Sequence, residues 1–374
     1  MKVVIAMDSL KGSLSSMDAG NAIKEGILKA INAEIIVKPL ADGGEGTTDA
    51  FIEGMGGEKI SLTVKGPLEA PVQSYYGFLK ENNTAIMEMA MASGITLIPR
   101  EALNPLNTTT YGVGEMIKDA IDRGIRNFII GIGGSATNDG GTGMLSALGY
   151  EFLDANGNPV GFGGQCLEKI ASISDKNRLA ELDECHFQIA CDVENPLCGP
   201  KGATYIYGPQ KGASDSLLPI LDAGMKNYGQ VAEAFVGKRT METPGAGAAG
   251  GLGFAFVTFL NGELKSGIDL ILDAVSLEES MEGADFVITG EGRLDQQTAM
   301  GKGPAGVAKL GKKYGAKTIA LAGSVTEDAS ACNAAGIDGY FCILSSVCTL
   351  EEAMASDTTR KNLTLTAEQL FRLL

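Results

Sequence analysis

In the stretch KPLADGGEGTTDAF, residues 38–51, Asp42 and Glu45 sit beside Gly43, Gly44 and Gly46. Glycine costs conformational entropy and a carboxylate in a tight loop costs solvation. Taken alone, the stretch reads equally well as an acidic surface turn. Other stretches repeat the pattern. TGEGRLDQQTAMGKG, residues 289–303, groups Gly290, Glu291, Arg293, Asp295, Gln297, Thr298 and Lys302. Carboxylates beside glycines and a lysine are what phosphoryl transfer requires: the carboxylates hold Mg²⁺, while lysine and main-chain amides neutralise phosphate oxygens. No glycine stands five residues before Gly301-Lys302, so the segment is not a Walker A loop.

GIGGSATNDGGTG, residues 131–143, is a glycine loop between a strand and a helix. Closely spaced glycines such as Gly133 and Gly134 let amides converge on an anion, and a helix N-terminus adds a favourable dipole. Ser135, Thr137, Asn138 and Asp139 add short polar groups suited to a metal or a hydroxyl. ACDVENPLCGPKGA, residues 190–203, puts Asp192 and Asn195 at another strand end, and Asp8, Ser9 and Lys11 follow the first strand. PGAGAAGGLG, residues 244–253, contains a formal G-x-G-x-x-G, but no β run precedes it, so the dinucleotide reading fails there. Close packing and approach to a phosphate both remain open for that segment. At least five strand-end loops thus carry acidic residues, and together they point to a metal–phosphate or polyhydroxy ligand.

The elements that must hold these loops read as α/β. KVVIAM is a β-branched run, and Ala19, Ile23, Ile27 and Ile31 mark one face of a helix with Ser15 and Asp18 at its start. EIIVKPL is the second strand, so Asp8 and Asp42 both lie beyond carboxyl ends of strands, where open α/β sheets place ligands. The last third repeats the grammar: ADFVITG, a helix from Pro304 to Lys313, KTIALAG, a helix near Asp328–Ala335, GYFCIL and a final helix. Five strands with helical crossovers fit a flavodoxin/Rossmann-like parallel sheet. The middle differs: residues 60–91 alternate as an antiparallel meander, followed by a helix near 109–123, the strand NFIIGIGG, the strand FQIACDV and a helix near 214–236. We expect residues 1–62 and 276–374 to form one domain and 63–275 a mixed α/β domain inserted into it, with the site in a cleft between them. The pattern leaves open whether 106–150 joins the insertion or the first sheet.

Composition narrows the partners. Thirty basic against 46 acidic residues give a net charge of −16, which disfavours nucleic acid and anionic membranes. The longest apolar run, FAFVTFL, is too short for a bilayer. The start reads as a strand and not a signal peptide. Seven cysteines without a C-x-x-C pair read as reduced thiols of a cytoplasmic protein. The single histidine, His186, occupies an ordinary strand position, which leaves histidine-based metal sites and triads without support.

DSLKGSLS, PLADGGEGT, GIGGSATNDGGTG, ACDVENPLCGPKGA, PGAGAAGGLG and VITGEGRLDQQTAMGKGPAGVA resemble the successive motifs of the type I glycerate kinase family, in the family's order from residue 8 to about 308. The resemblance implies ATP-dependent phosphorylation of D-glycerate with Mg²⁺ by a two-domain cytoplasmic enzyme. The product it implies is 2-phosphoglycerate, with 3-phosphoglycerate or a related hydroxy acid as the alternative. On that footing Lys11 and Lys302 contact phosphates or the glycerate carboxylate. Asp8, Asp42, Glu45 and Asp295 supply Mg²⁺ ligands or hydroxyl contacts, the Ser135–Asp139 loop holds phosphate, and Asp192 is the general base. Ser9, Gly43, Gly44, Gly133, Gly134, Asn195, Gly290, Glu291, Arg293, Gln297 and Thr298 complete the expected substrate and nucleotide contacts. A monomer and a homodimer are both compatible with the sequence.

Overall fold

The computed structural model describes residues 1–41 and 46–374, so the expectations placed on Asp42, Gly43, Gly44 and Glu45 lie outside the described residues. Its strands are β1 (Lys2–Met7), β2 (Glu34–Pro39), β3 (Glu58–Lys65), β4 (Pro71–Leu79), β5 (Thr84–Glu88), β6 (Asn127–Gly131), β7 (Glu151–Leu153), β8 (Ser172–Ser174), β9 (His186–Ala190), β10 (Glu263–Lys265), β11 (Phe286–Leu294), β12 (Lys317–Val325) and β13 (Gly339–Cys342). Among the described residues, 1–41, 49–56 and 268–374 form one compact unit, and 46–48 with 57–267 form the other.

The first unit is built on a five-stranded sheet in the order β13-β12-β11-β1-β2, parallel throughout. Counted along this unit, that is the doubly wound order 2-1-3-4-5, whose direction reverses between β1 and β11. Alternate residues feed the two faces. Val3, Ile5, Met7, Ile288 and Leu321 pack with Ile23 and Ile27 of the helix Ser16–Ala30, and with Leu363, Ala367 and Phe371 of the helix Ser356–Phe371. Each such fully buried side chain contributes roughly 1.5–3 kcal/mol. Ala308, Ala320, Ala322, Ala329 and Cys332 belong to the cluster of the opposite face. Ser15 caps the helix Ser16–Ala30 by accepting the Asp18 amide at 3.2 Å, worth about 1 kcal/mol. Ser15 and Asp18 have the spacing of a reciprocal capping box, but only its cap half forms: the Asp18 carboxylate accepts from the Ser15 hydroxyl and pairs with Arg360.

The second unit carries a six-stranded mixed sheet, β10-β9-β6-β5-β4-β3. β3 to β5 form the antiparallel meander, while β5, β6, β9 and β10 run parallel. The segment 106–150 supplies β6 to this sheet and the helix Tyr111–Asp122 to its core. The long helix is Leu218–Val236, shorter at its start than the residues 214–236 read from periodicity, with Pro219 in its first turn. The stretch expected as a helix near Asp328 divides into a 3₁₀ turn, Glu327–Ser330, and a single turn, Ala331–Ala334. All seven cysteines are free thiols, and among the described residues no helix is long and apolar enough to cross a membrane.

Candidate functional site

In the first unit, register aligns Pro39, Met7, Gly290, Leu321 and Phe341 in one row across the sheet. The residues just beyond the two central positions of that row carry the chemistry. Gly290 is obligatory: its φ is +151°, and a Cβ there would lie 1.8 Å from the Leu321 carbonyl oxygen. Its own carbonyl accepts the Asp8 amide at 2.9 Å, which joins the two strand ends.

Asp8 is buried, 7% exposed, and its Oδ1 accepts the Ser9 amide at 2.7 Å. Glu291 Oε1 accepts from the buried Thr298 hydroxyl at 2.6 Å. That hydroxyl in turn accepts the Asp295 amide at 3.2 Å. Asp295 Oδ1 caps the short turn Gln296–Ala299 through the Gln297 amide at 2.8 Å and the Thr298 amide at 3.3 Å, while its Oδ2 lies 3.6 Å from Arg293 Nε. Thr298 is therefore buried, its hydroxyl engaged by Glu291 and the Asp295 amide and its own amide by the Asp295 carboxylate. Lys11 and Arg293 are exposed, and Gln297 faces solvent. Asp8, Ser9, Lys11, Glu291, Arg293, Asp295 and Lys302 all line one cavity of about 640 Å³, within the range of about 300–1,000 Å³ typical of small-molecule sites. It opens at the β1/β11 reversal point, where doubly wound sheets bind ligands.

In the second unit, the register Glu88–Gly131–Ala190–Lys265 sets four parallel strand ends level. Three of them carry site candidates. Gly133 and Gly134 are exposed, with open space where a Cβ of Gly133 would stand. From Ser135 onward the loop turns inward: Thr137, Asn138 and Asp139 are fully buried. Asp139 Oδ2 accepts the amide and hydroxyl of Thr110, both at 2.8 Å, and the Gly143 amide; Oδ1 accepts the Gly141 amide. Burial is the strongest influence on this carboxyl and raises its pKa, while those four hydrogen bonds oppose the rise. Asn138 is tied to Thr204 at 3.0 Å. These two side chains therefore shape the loop, and its exposed lip is the part that meets solvent.

Sequence reasoning missed two residues of this unit. Lys211 is 1% exposed, and its Nζ donates to Ser135 Oγ at 2.7 Å and to the Thr137 carbonyl at 2.6 Å. Burial lowers its pKa to about 7, while the nearby Asp139 charge pulls upward. Glu88, 5% exposed, accepts the Thr48 amide at 2.8 Å and the Gly46 amide at 3.3 Å at the start of the helix Thr47–Met55. The lysine in GPQKGAS gave no signal because it follows no strand, although Gly212 is its neighbour, and the glutamate ending TAIME gave none because no glycine adjoins it.

Asp192 is exposed, and its Oδ1 accepts the Gly267 amide at 2.9 Å. Its Oδ2 has no protein partner among the described residues. Asn195 is occupied by its own loop: it donates to the Lys201 carbonyl and accepts from the Tyr207 hydroxyl at 2.6 Å. The segment 244–253 packs closely against the loops after β9 and β6: the Gly247 amide donates to the Asn195 carbonyl at 2.9 Å. Gly250, with φ +68°, would place a Cβ 2.0 Å from the Thr137 carbonyl oxygen, and its own carbonyl accepts the Gly140 amide at 2.9 Å.

Comparison with known proteins matches residues 3–374 to the glycerate kinase family. A glycerate kinase of Bacillus subtilis (strain 168) is 47% identical over 354 residues, covering 94% of this chain and 93% of that one. A glycerate 2-kinase of Escherichia coli (strain K12) is 46% identical with the same coverages. A crystal structure described as a glycerate kinase 2 from Salmonella typhimurium LT2 superposes with a TM-score of 0.92 at 42% identity, covering 100% of this chain and 98% of that one.

Proposed function

This chain belongs to the glycerate kinase family and is a kinase that phosphorylates glycerate, and from that premise we propose that it transfers the γ-phosphoryl group of ATP to the 2-hydroxyl of D-glycerate with Mg²⁺. The 2-position follows the Escherichia coli relative, named a glycerate 2-kinase; transfer to the 3-hydroxyl is the competing outcome. The observation that carries the reading is the gathering of Asp8, Lys11, Glu291, Arg293, Asp295 and Lys302 around one strand-end cavity.

The donor set suits the metal. Mg²⁺ prefers oxygen ligands, keeps several waters and needs one or two carboxylates besides phosphate oxygens. Asp8 and Asp295 are our assigned holders, with Asp42 and Glu45 added from the sequence pattern. Among the described residues no three His, Cys, Asp or Glu side chains cluster as a closed metal cage, and an ion shared with a phosphate group requires none. When bound, it screens the repulsion between ATP and the glycerate anion.

Lys11 and Lys302 neutralise phosphate oxygens or the glycerate carboxylate. The amides of the glycine loop, at its exposed Gly133–Gly134 lip, offer a further anion seat. Asp192 is the general base, since its Oδ2 is unclaimed and accessible. The expectation of chemistry in a cleft between the domains remains part of this proposal, supported by acidic strand ends in both units. The enzyme would work in the cytoplasm, as a monomer or homodimer, without nucleic acid or membrane.

The test is a coupled ADP-release assay with purified protein, Mg²⁺–ATP and D-glycerate, followed by phosphorus NMR of the product. Glycerate-dependent ADP release with a 2-phosphate resonance supports the proposal. A 3-phosphate resonance replaces the position, and ADP release only with another hydroxy acid replaces the substrate.

A further inference from the structure

The lining of the cavity at the β1/β11 reversal comes from two chemically different sources. The strand-end loops bring the charges of Asp8, Lys11, Arg293 and Lys302; the segment after β13 brings Leu344, Leu350 and Met354. Those three side chains are 38%, 76% and 37% exposed. Partly exposed apolar groups gathered along one cavity mark a place where something apolar docks. The segment is not loose. Thr349 and Glu352 form a reciprocal capping box at the start of the turn Leu350–Met354. The loop after β1 also approaches Met354: a Cβ at Gly12 would meet the Met354 methyl group at 2.9 Å. The apolar segment is thereby held against the loop that carries Lys11, within one unit.

Glycerate matches only half of this cavity. A three-carbon hydroxy acid is polar throughout and has no surface to bury against leucine and methionine. At about 640 Å³ the cavity is also sized for a ligand several times larger. A nucleoside triphosphate has the matching asymmetry: a flat, weakly polar base at one end and a chain of anionic oxygens at the other. We infer that this cavity is the nucleotide seat, with the base and ribose against Leu344, Leu350 and Met354 and the phosphates directed toward Lys11 and Lys302. The inference rests on the kinase reading above and deepens it: the lysines of this cavity serve phosphate, and glycerate is recognised elsewhere.

Titration calorimetry on the full chain with ADP and with inorganic tripolyphosphate, both in Mg²⁺, separates the two parts of the lining. Leu350→Asp and Met354→Gln, each at a solvent-facing position, should weaken ADP binding at least tenfold and leave tripolyphosphate binding unchanged. Lys11→Ala should weaken both ligands. The glycerate KM of Leu350→Asp, read at saturating ATP, should hold. Unaltered ADP affinity in both apolar variants overturns the inference, as does a rise in the glycerate KM with ADP affinity intact. A change in sedimentation of Leu350→Asp without loss of ADP affinity likewise overturns it and assigns the apolar segment to contact between copies. If wild-type protein binds ADP in this pattern but releases none in response to glycerate, the seat stands and the substrate reading fails.

Discussion

The Lys211 ammonium nitrogen lies 2.7 Å from the Ser135 hydroxyl and 2.6 Å from the Thr137 carbonyl oxygen, so one buried side chain ties two turns of the glycine loop together. Two of the three ammonium protons make these bonds, and a neutral amine has enough protons to make the same pair. The clamp therefore survives deprotonation, while the cost of a buried charge does not.

That gives a signed pH prediction. The pKa of Lys211 is about 7 in the folded chain against an ordinary 10.5. Between those values the unfolded chain binds a proton that the folded chain lacks, so this lysine's contribution to stability increases as pH rises from about 7 toward 10.5. Below pH 7 it is constant. Urea unfolding of wild type and Lys211→Met across pH 7–9.5 should show the difference between them shifting in favour of wild type as pH rises. A pH-independent difference contradicts the lowered pKa. At all pH values Lys211→Met leaves Ser135 Oγ and the Thr137 carbonyl unpaired, a cost of about 1–3 kcal/mol.

Gly290→Ala and Gly133→Ala make a matched pair. The first drives a Cβ to 1.8 Å from the Leu321 carbonyl in an interior strand pair, and soluble folded protein should be nearly absent. The second enters open space, and its melting temperature should stay within about 2 °C of wild type, in line with a surface change of under 0.5 kcal/mol. Any loss of turnover in Gly133→Ala would then report on the loop lip rather than on folding.

Thr298→Val keeps shape and removes the hydroxyl that serves Glu291 and the Asp295 amide. Loss of two part-buried hydrogen bonds should cost about 1–3 kcal/mol and loosen the Glu291 carboxylate and the main chain that carries Asp295. We expect a lower melting temperature together with a higher Mg²⁺ requirement for half-maximal activity. A lower melting temperature with an unchanged Mg²⁺ requirement would confine Thr298 to a structural role.

Asp192→Asn should cut kcat by roughly 10²–10⁴-fold, the usual contribution of a general base. Nucleotide affinity should stay near wild type, and the amide can still accept from Gly267. Near-normal kcat removes Asp192 from that role.

Lys11→Ala should raise the KM for ATP, because an exposed cation lining the cavity is lost. Unchanged KM values for both substrates would leave Lys11 without a binding task.

Much of the first unit was legible from local pattern. β1 and β2 stand out as short β-branched runs and the helix Ser16–Ala30 as one apolar face, and strand ends then follow from connectivity. Glu291 and Asp295 were legible as chemistry because glycines surround them. The reading could not rank those side chains by direction. Thr298, Asn138 and Asp139 look like ligands in sequence, yet they turn inward, since a polar residue in a tight loop serves its own backbone as readily as a substrate. Lys211 and Glu88 act across long separations, and no period or spacing encodes a contact between residues 211 and 135. The apolar lining of the cavity was hidden for the opposite reason: Leu350 and Met354 look like any amphipathic turn until their exposure is known.

The sheet order has a consequence for how the protein is made. Val3 pairs with Phe286, and the helix Ser16–Ala30 packs on Ser356–Phe371. On the ribosome, the β-α-β unit of β1, the helix Ser16–Ala30 and β2 leaves the tunnel long before its neighbours β11 to β13 exist, while residues 57–267 emerge in the interval and can collapse. The earliest-synthesised strands must then wait, with Val3, Ile5, Ile23 and Ile27 uncovered, for the latest-synthesised ones. Long-range parallel pairing is the slow class of folding event, and such waiting surfaces attract aggregation and chaperones. Emergence of the helix Ser356–Phe371 is thus itself a step of assembly.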